Sequence, residues 1–259
     1  MKKVLSLILA LLTLVCFAAC SNNNSDSDNT NNNDDSVAVE FVYNGFEYQV
    51  NEKGTYEIIG YRGTDKEITV PSSIEGRKVT GIGTDAFKAI NTITSVTIPD
   101  SITYIADFAF AECDYITKIV IPDSVTTLGI GAFYSCSALA DVTLSASLTE
   151  IGDLAFWDCD ALASITLPVG LKTIGEGAFF DADKLDNVVL PASVESVGKA
   201  AFFYCDALTC VRVEAESATF GEWALGNKDT VTVQANATST AAKFATENGM
   251  KLEGLAQPE

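Results

Sequence analysis

Aromatic rings and carboxylates recur side by side along this chain at one fixed interval. Tyr134, Trp157, Phe180 and Phe203 follow one another at 23-residue spacing, with Tyr204 beside the last, and Glu112, Asp158 and Asp181 run between them. A second acidic file holds Asp114, Asp160, Asp183 and Asp206. Rings next to carboxylates can stack on sugar rings and bind their hydroxyls, or anchor a protein partner. The competing reading, and the favoured one, packs the rings over a ridge and leaves the acids to give solubility and cap helix starts.

Abundant acids also raise the chemistry of glycoside hydrolysis. That reaction needs two carboxylates in different environments within a cleft, one with a raised pKa, whereas a regular ladder gives each acid much the same surroundings. The chain has no histidine, which removes Ser-His-Asp and Cys-His catalysis and His-based zinc or iron sites. It carries no Gly-rich phosphate loop and no nucleophile elbow. The expectation is therefore no enzyme, no cofactor and no metal site. A net charge of −19, from 16 basic and 35 acidic side chains, repels phosphates, so nucleic acid is not an expected partner.

Cys113, Cys136, Cys159 and Cys205 share one column, which Ile90 and Ala182 fill in other units. A position that accepts isoleucine and alanine is a buried apolar slot, and cysteine serves there as a small hydrophobe. In stacked coils neighbouring β-carbons run parallel about 4.8 Å apart, whereas a disulfide prefers about 3.8 Å and converging bonds. Free thiols are expected. Cys210 falls in an outward column and is the candidate reactive thiol, with a pairing to Cys205 left open.

What positions these columns is a repeat. An Ala-Phe pair occurs at 86, 109, 132, 155, 178 and 201, always 23 residues apart, and Ala224-Leu225 keeps the phase. Ile82, Ile105, Leu128, Ile151, Ile174 and Val197 precede each alanine by four residues. A fixed period in the twenties marks a solenoid whose units bury their apolar faces against their neighbours. Within each unit a stretch such as "SVTIP" or "KIVIP" alternates inward aliphatics with outward residues, which predicts one short strand per coil, stacked in parallel. The Ala-Phe segment, with helical spacing of its apolar residues, predicts a short helix or turn opposite. On the strand face Lys118, Asp141, Asn187 and Arg212 are the outward candidates for a broad, shallow contact. Exposed strands favour such short or β-branched neighbours in any case.

The unit "IGDLAFWDCDALASITLPVGL" (residues 151–171) resembles the BspA-like leucine-rich repeat of bacterial surface proteins, and the match runs repeat by repeat from about Ile82 to Thr219. The resemblance implies an α/β repeat solenoid, and it implies adhesion to host matrix proteins or other cells. Residues 46–83 are similar to the opening segment of that family and are read as a hairpin with Gly54 in its turn, covering the first coil. At the other end "VTVQANATSTAAKFATENGMKL" reads as a last strand and a short helix stopped at Gly249.

The start, "MKKVLSLILALLTLVCFAAC", joins Lys2 and Lys3 to an apolar run too short to span a membrane, then small residues before Cys20. It resembles the lipobox of bacterial lipoproteins, which implies that Cys20 is lipidated and becomes the first mature residue. In an ordinary secretory signal Cys20 would be incidental. Residues 21–36 contain only Ser, Asn, Asp and Thr; with no apolar residue to offset ordering, they read as a flexible tether of roughly 20–25 Å.

The resulting organisation is a signal peptide (1–19), lipidated cysteine and tether (20–37), N-terminal cap (38–81), repeats (82–233) and C-terminal cap and tail (234–259). The expected function is that of a lipid-anchored, surface-exposed adhesin of the bacterial envelope that binds host or bacterial surface proteins or glycans. The alternatives are a structural envelope scaffold and a non-catalytic glycan-binding accessory module.

Overall fold

The computed structural model describes residues 41–255. The leader, Cys20 and the tether lie outside the described residues. The chain opens with an antiparallel meander of β1 (Phe41–Tyr43), β2 (Phe46–Val50) and β3 (Tyr56–Tyr61). Between β2 and β3 the Asn51 side chain accepts from the N–H groups of Lys53 and Thr55, and Gly54 takes a φ of +73° that suits glycine. Phe46 and Tyr61 meet at a tilt, with centroids 4.9 Å apart, and lie against Phe87, the first ring of the core. The hairpin therefore closes the open end of the solenoid, as the sequence predicts.

From β3 onward the main ladder runs parallel. Its register repeats the sequence period, Leu128 pairing with Ile151, and so does that of a separate two-stranded sheet in which Lys118 pairs with Asp141, each 23 residues on. The sequence reading places one strand in each coil, and the structure adds a second. Besides strands such as Ser95–Thr97, Lys118–Val120 and Asp141–Thr143, a continuous ladder of two-residue strands joins Tyr104–Ile105 through Thr219–Phe220. These short strands hold only one inward residue each, so their alternation is too brief to stand out in the sequence.

The core is a file of phenylalanines. Phe87, Phe110, Phe133, Phe156, Phe179 and Phe202 are fully buried, and successive rings are nearly parallel with centroids 4.9–5.3 Å apart. That spacing follows the strand separation and falls in the offset-stacked range.

The Ala-Phe segments form turns. In each coil the residue before the alanine and the residue three after it adopt left-handed backbone, for example Leu154 and Asp158, or Ala200 and Tyr204. This alternation aims several N–H groups the same way: those of Gly131, Phe133 and Ser135 donate to the carbonyls of Asp153, Ala155 and Trp157 in the next coil, at 2.7–2.8 Å. Left-handed backbone costs a non-glycine residue roughly 1–2 kcal/mol, and the ladder of satisfied buried amides offsets it.

At the far end α1 (Thr240–Glu247) is capped by Ser239, whose hydroxyl accepts from the Ala242 N–H at 3.2 Å, and it buries Ala241, Ala242 and Ala245. It stops at Gly249, where φ is +67° and the Met250 N–H returns to the Ala245 carbonyl. A further strand, Lys251–Gly254, then pairs in parallel with Thr232–Ala235. Among the described residues no helix is long and apolar enough to cross a membrane.

Candidate functional site: the ring stripe, the acidic file and the strand face

The stripe residues project from one side of the turn ladder, and the coil spacing brings their rings into contact. Tyr134 stacks on Trp157 at 6.2 Å, Trp157 on Phe180 at 3.9 Å, and Tyr204 meets Phe180 edge-on at 5.2 Å and Phe203 at 4.4 Å. Phe180 is only 5% exposed, while Tyr134, Trp157 and Phe203 are half-buried and Tyr204 is exposed at 37%. The ring faces are largely spent on one another. What the stripe presents to solvent is a band of ring edges ending in the Tyr204 phenol.

Asp158 and Asp181 occupy the left-handed position of their turns. Aspartate tolerates that backbone better than most residues, which gives a local reason for its presence. Helix capping is not their role, because no helix starts there. Asp107 and Asp153 instead tie coils together, each accepting a backbone N–H from the next coil, at 2.8 and 2.6 Å. Asp158 accepts from the Ser135 hydroxyl at 2.7 Å. Asp181 is pushed up to about 6, first by burial and then by Asp183, Asp158, Asp160 and Asp206; Asp160 is raised by burial and by Asp158 and Asp183. The acids are thus gathered tightly enough to repel one another. Among the described residues no group of His, Cys, Asp or Glu converges to hold a metal ion.

The strand face is a separate ladder. Lys118 and Asp141 are register partners and form an ion pair at 2.6 Å, and Arg212 pairs with Glu214 at 3.2 Å. Asn187 is exposed and lies in register with Cys210. Between these polar groups Val120 and Val189 stand 48% and 46% exposed. The four candidates are therefore split into two charge-balanced pairs and one amide, with exposed valines among them.

The cysteine file is buried, and each thiol donates to a phenylalanine carbonyl of the preceding coil: Cys113 to Phe87, Cys136 to Phe110, Cys159 to Phe133 and Cys205 to Phe179, at 3.0–3.2 Å. Burial pushes Cys113, Cys159 and Cys205 up to about 12. All five described cysteines are free, Cys210 and Cys205 included. Cys210 is half-buried in its strand and its pKa is raised, by burial first and Glu253 second.

One feature escapes the repeat reading. At the seventh unit the stripe position is Gly226, and a cleft opens there between Phe203, Trp223 and the α1 end. The break in the aromatic column was the available signal.

The model of the BspA type leucine rich repeat region matches in six copies, over residues 66–180 and 105–233. The chain is similar to the Treponema pallidum leucine rich repeat protein TpLRR, at 25% identity over 83% of this chain and 98% of that one, with a TM-score of 0.52. A leucine rich cell surface protein of Faecalibacterium prausnitzii aligns at 16% identity, covering 67% of this chain and 94% of its own, with a TM-score of 0.39. The pneumococcal vaccine antigen PcpA aligns at 20% identity over 74% and 68%, with a TM-score of 0.38. No curated protein matches. Repeated columns, a ladder register equal to the sequence period and six copies of one repeat model agree that the chain belongs to the BspA type leucine rich repeat family.

Proposed function

We propose that this protein is a lipid-anchored binding protein of the bacterial cell envelope, facing outward, whose solenoid engages protein or glycan partners on host or bacterial surfaces. The observation that carries the reading is the union, in one chain, of a Cys20 leader junction and polar tether with a rigid repeat surface. The repeat family is in general a scaffold for protein interaction. Of its two long surfaces, the strand face suits a macromolecular contact better, because Val120 and Val189 remain exposed while the stripe rings cover one another. No catalytic step is part of this reading: the chain has no histidine, and although burial sets Asp181 apart from the equal surroundings expected of a ladder and pushes it up to about 6, its acidic neighbours belong to the same repeated file.

Protease treatment of intact cells, followed with an antibody to the repeats and a cytoplasmic control, tests the placement. Rapid loss of the repeats is expected. Protection until the envelope is opened would overturn the adhesin reading and leave a scaffold inside the envelope.

A further inference from the structure

The stripe of rings ends at a position where a side chain would be strained. Gly226 stands in the column of Tyr134, Trp157, Phe180 and Phe203, with φ at +93°. A β-carbon there would lie 2.9 Å from Val231 Cγ2 and 3.2 Å from the Phe202 carbonyl oxygen. The space beyond Phe203 is left open, and the result is a cleft of about 190 Å³ lined as well by Phe244 and Met250.

Its lining mixes two chemistries. Phe203 and Trp223, stacked on each other at 5.4 Å with Lys199 Nζ 5.7 Å over the Trp223 ring, line it with aromatic rings. The lining also holds polar groups already set in place. Asn227 Oδ1 accepts from the Asp229 N–H at 3.0 Å, and Asn248 Nδ2 donates to the Phe244 carbonyl at 2.8 Å. Lys228 and Asp229 pair at 2.6 Å, so the charges cancel.

An apolar cavity of about 150 Å³ takes up one benzene ring, so this cleft has room for a single six-membered ring. A purely apolar ring would strip water from the two amides and the ion pair without replacing it. An anion would meet a lysine already paired, on a chain of net charge −19. A neutral ring with an apolar face and a rim of hydroxyls suits both kinds of lining group. We propose that this terminal cleft binds one neutral pyranose unit, the end residue of a glycan chain. The proposal deepens the partner-binding reading above and rests on it, and its test uses purified protein so that misplacement in the cell cannot be mistaken for its failure.

The chain has two tryptophans. In full-length Trp157→Phe, a change to a residue the stripe already holds at 180 and 203, Trp223 alone reports by fluorescence. Titration with methyl glucoside, methyl mannoside and N-acetylglucosamine is expected to give a saturable shift in Trp223 emission in the millimolar range for at least one of them. Saturation-transfer NMR on the otherwise unaltered chain should show the same sugar bound. Trp223→Ala, a residue that the same column holds at Ala200, should weaken that binding about tenfold. Asn227→Ala, an exposed change, should weaken it as well without loss of fold. The proposal is overturned if none of the sugars gives a saturable signal, if both variants bind as the parent does, or if phenol saturates the cleft and the sugars do not. Loss of sugar binding in Trp223→Ala with retention of a macromolecular partner would assign that partner to another face while leaving the cleft as proposed.

Discussion

Trp157 and Phe180 stack with their ring centroids 3.9 Å apart and 11° between their planes. The contact joins two coils outside the phenylalanine core and makes the stripe a second file of stacked rings. Phe180→Ala removes the more buried ring and is expected to cost about 3 kcal/mol. Trp157→Phe should stay within about 1.5 kcal/mol, since it exchanges one aromatic for another resident in the column. Urea unfolding followed by circular dichroism measures both.

Stability should depend on pH through Asp181. Its pKa is raised from 3.8 to about 6 in the folded chain, so the folded state binds a proton that the unfolded state releases. The stabilisation from that proton is complete below about 3.8 and is lost as pH rises through about 6. Asp181→Asn keeps a residue suited to left-handed backbone and removes the charge. It is expected to raise stability at pH 7 by about 1 kcal/mol, after allowance for solvent screening, and to change little at pH 4. Thermal melts of both forms at the two pH values decide it.

Two glycines should respond oppositely to alanine. A β-carbon on Gly175 would lie 2.4 Å from the backbone nitrogen of Asp153 in the preceding coil, so Gly175→Ala is expected to cost about 2 kcal/mol. Gly170 has nothing within 4 Å of that position and no left-handed φ. Gly170→Ala should be neutral or stabilising by about 0.5 kcal/mol, through a less flexible unfolded chain. Equilibrium unfolding of the pair gives the contrast.

Thiol labelling should separate the cysteines by depth. Cys113, Cys136, Cys159 and Cys205 are buried with raised pKa values and should resist iodoacetamide in the native protein. Cys210, half-buried, should label slowly and before them. Peptide mapping by mass spectrometry, before and after guanidinium, follows each site.

The coil was legible because burial selects the same residue types at every pass: the Phe87 to Phe202 file and the Ile82 to Val197 file are one physical environment sampled repeatedly. The left-handed turns were not, because Leu154, Glu112 and Ala200 hold that backbone without being residues that advertise it; inter-coil hydrogen bonds impose it. The mutual covering of the stripe was also hidden, since a column in sequence does not say whether its rings face solvent or each other. The terminal cleft depends on α1 folding back beside Trp223, a meeting of segments that no local pattern records. The final strand, Lys251–Gly254, is exposed throughout and carries no alternation to betray it.

Because the paired strands from Tyr104–Ile105 to Thr219–Phe220 are each offset by one full unit of 23 residues, a gene for this protein can gain or lose 23 codons in phase there and still encode a continuous stack. Each such event moves the two ends apart or together by about 4.8 Å, one strand spacing. Recombination can therefore lengthen or shorten the strand face in equal steps. The cleft beside Gly226 exists only where the pattern breaks. Copying internal coils multiplies the long faces and leaves that cleft single.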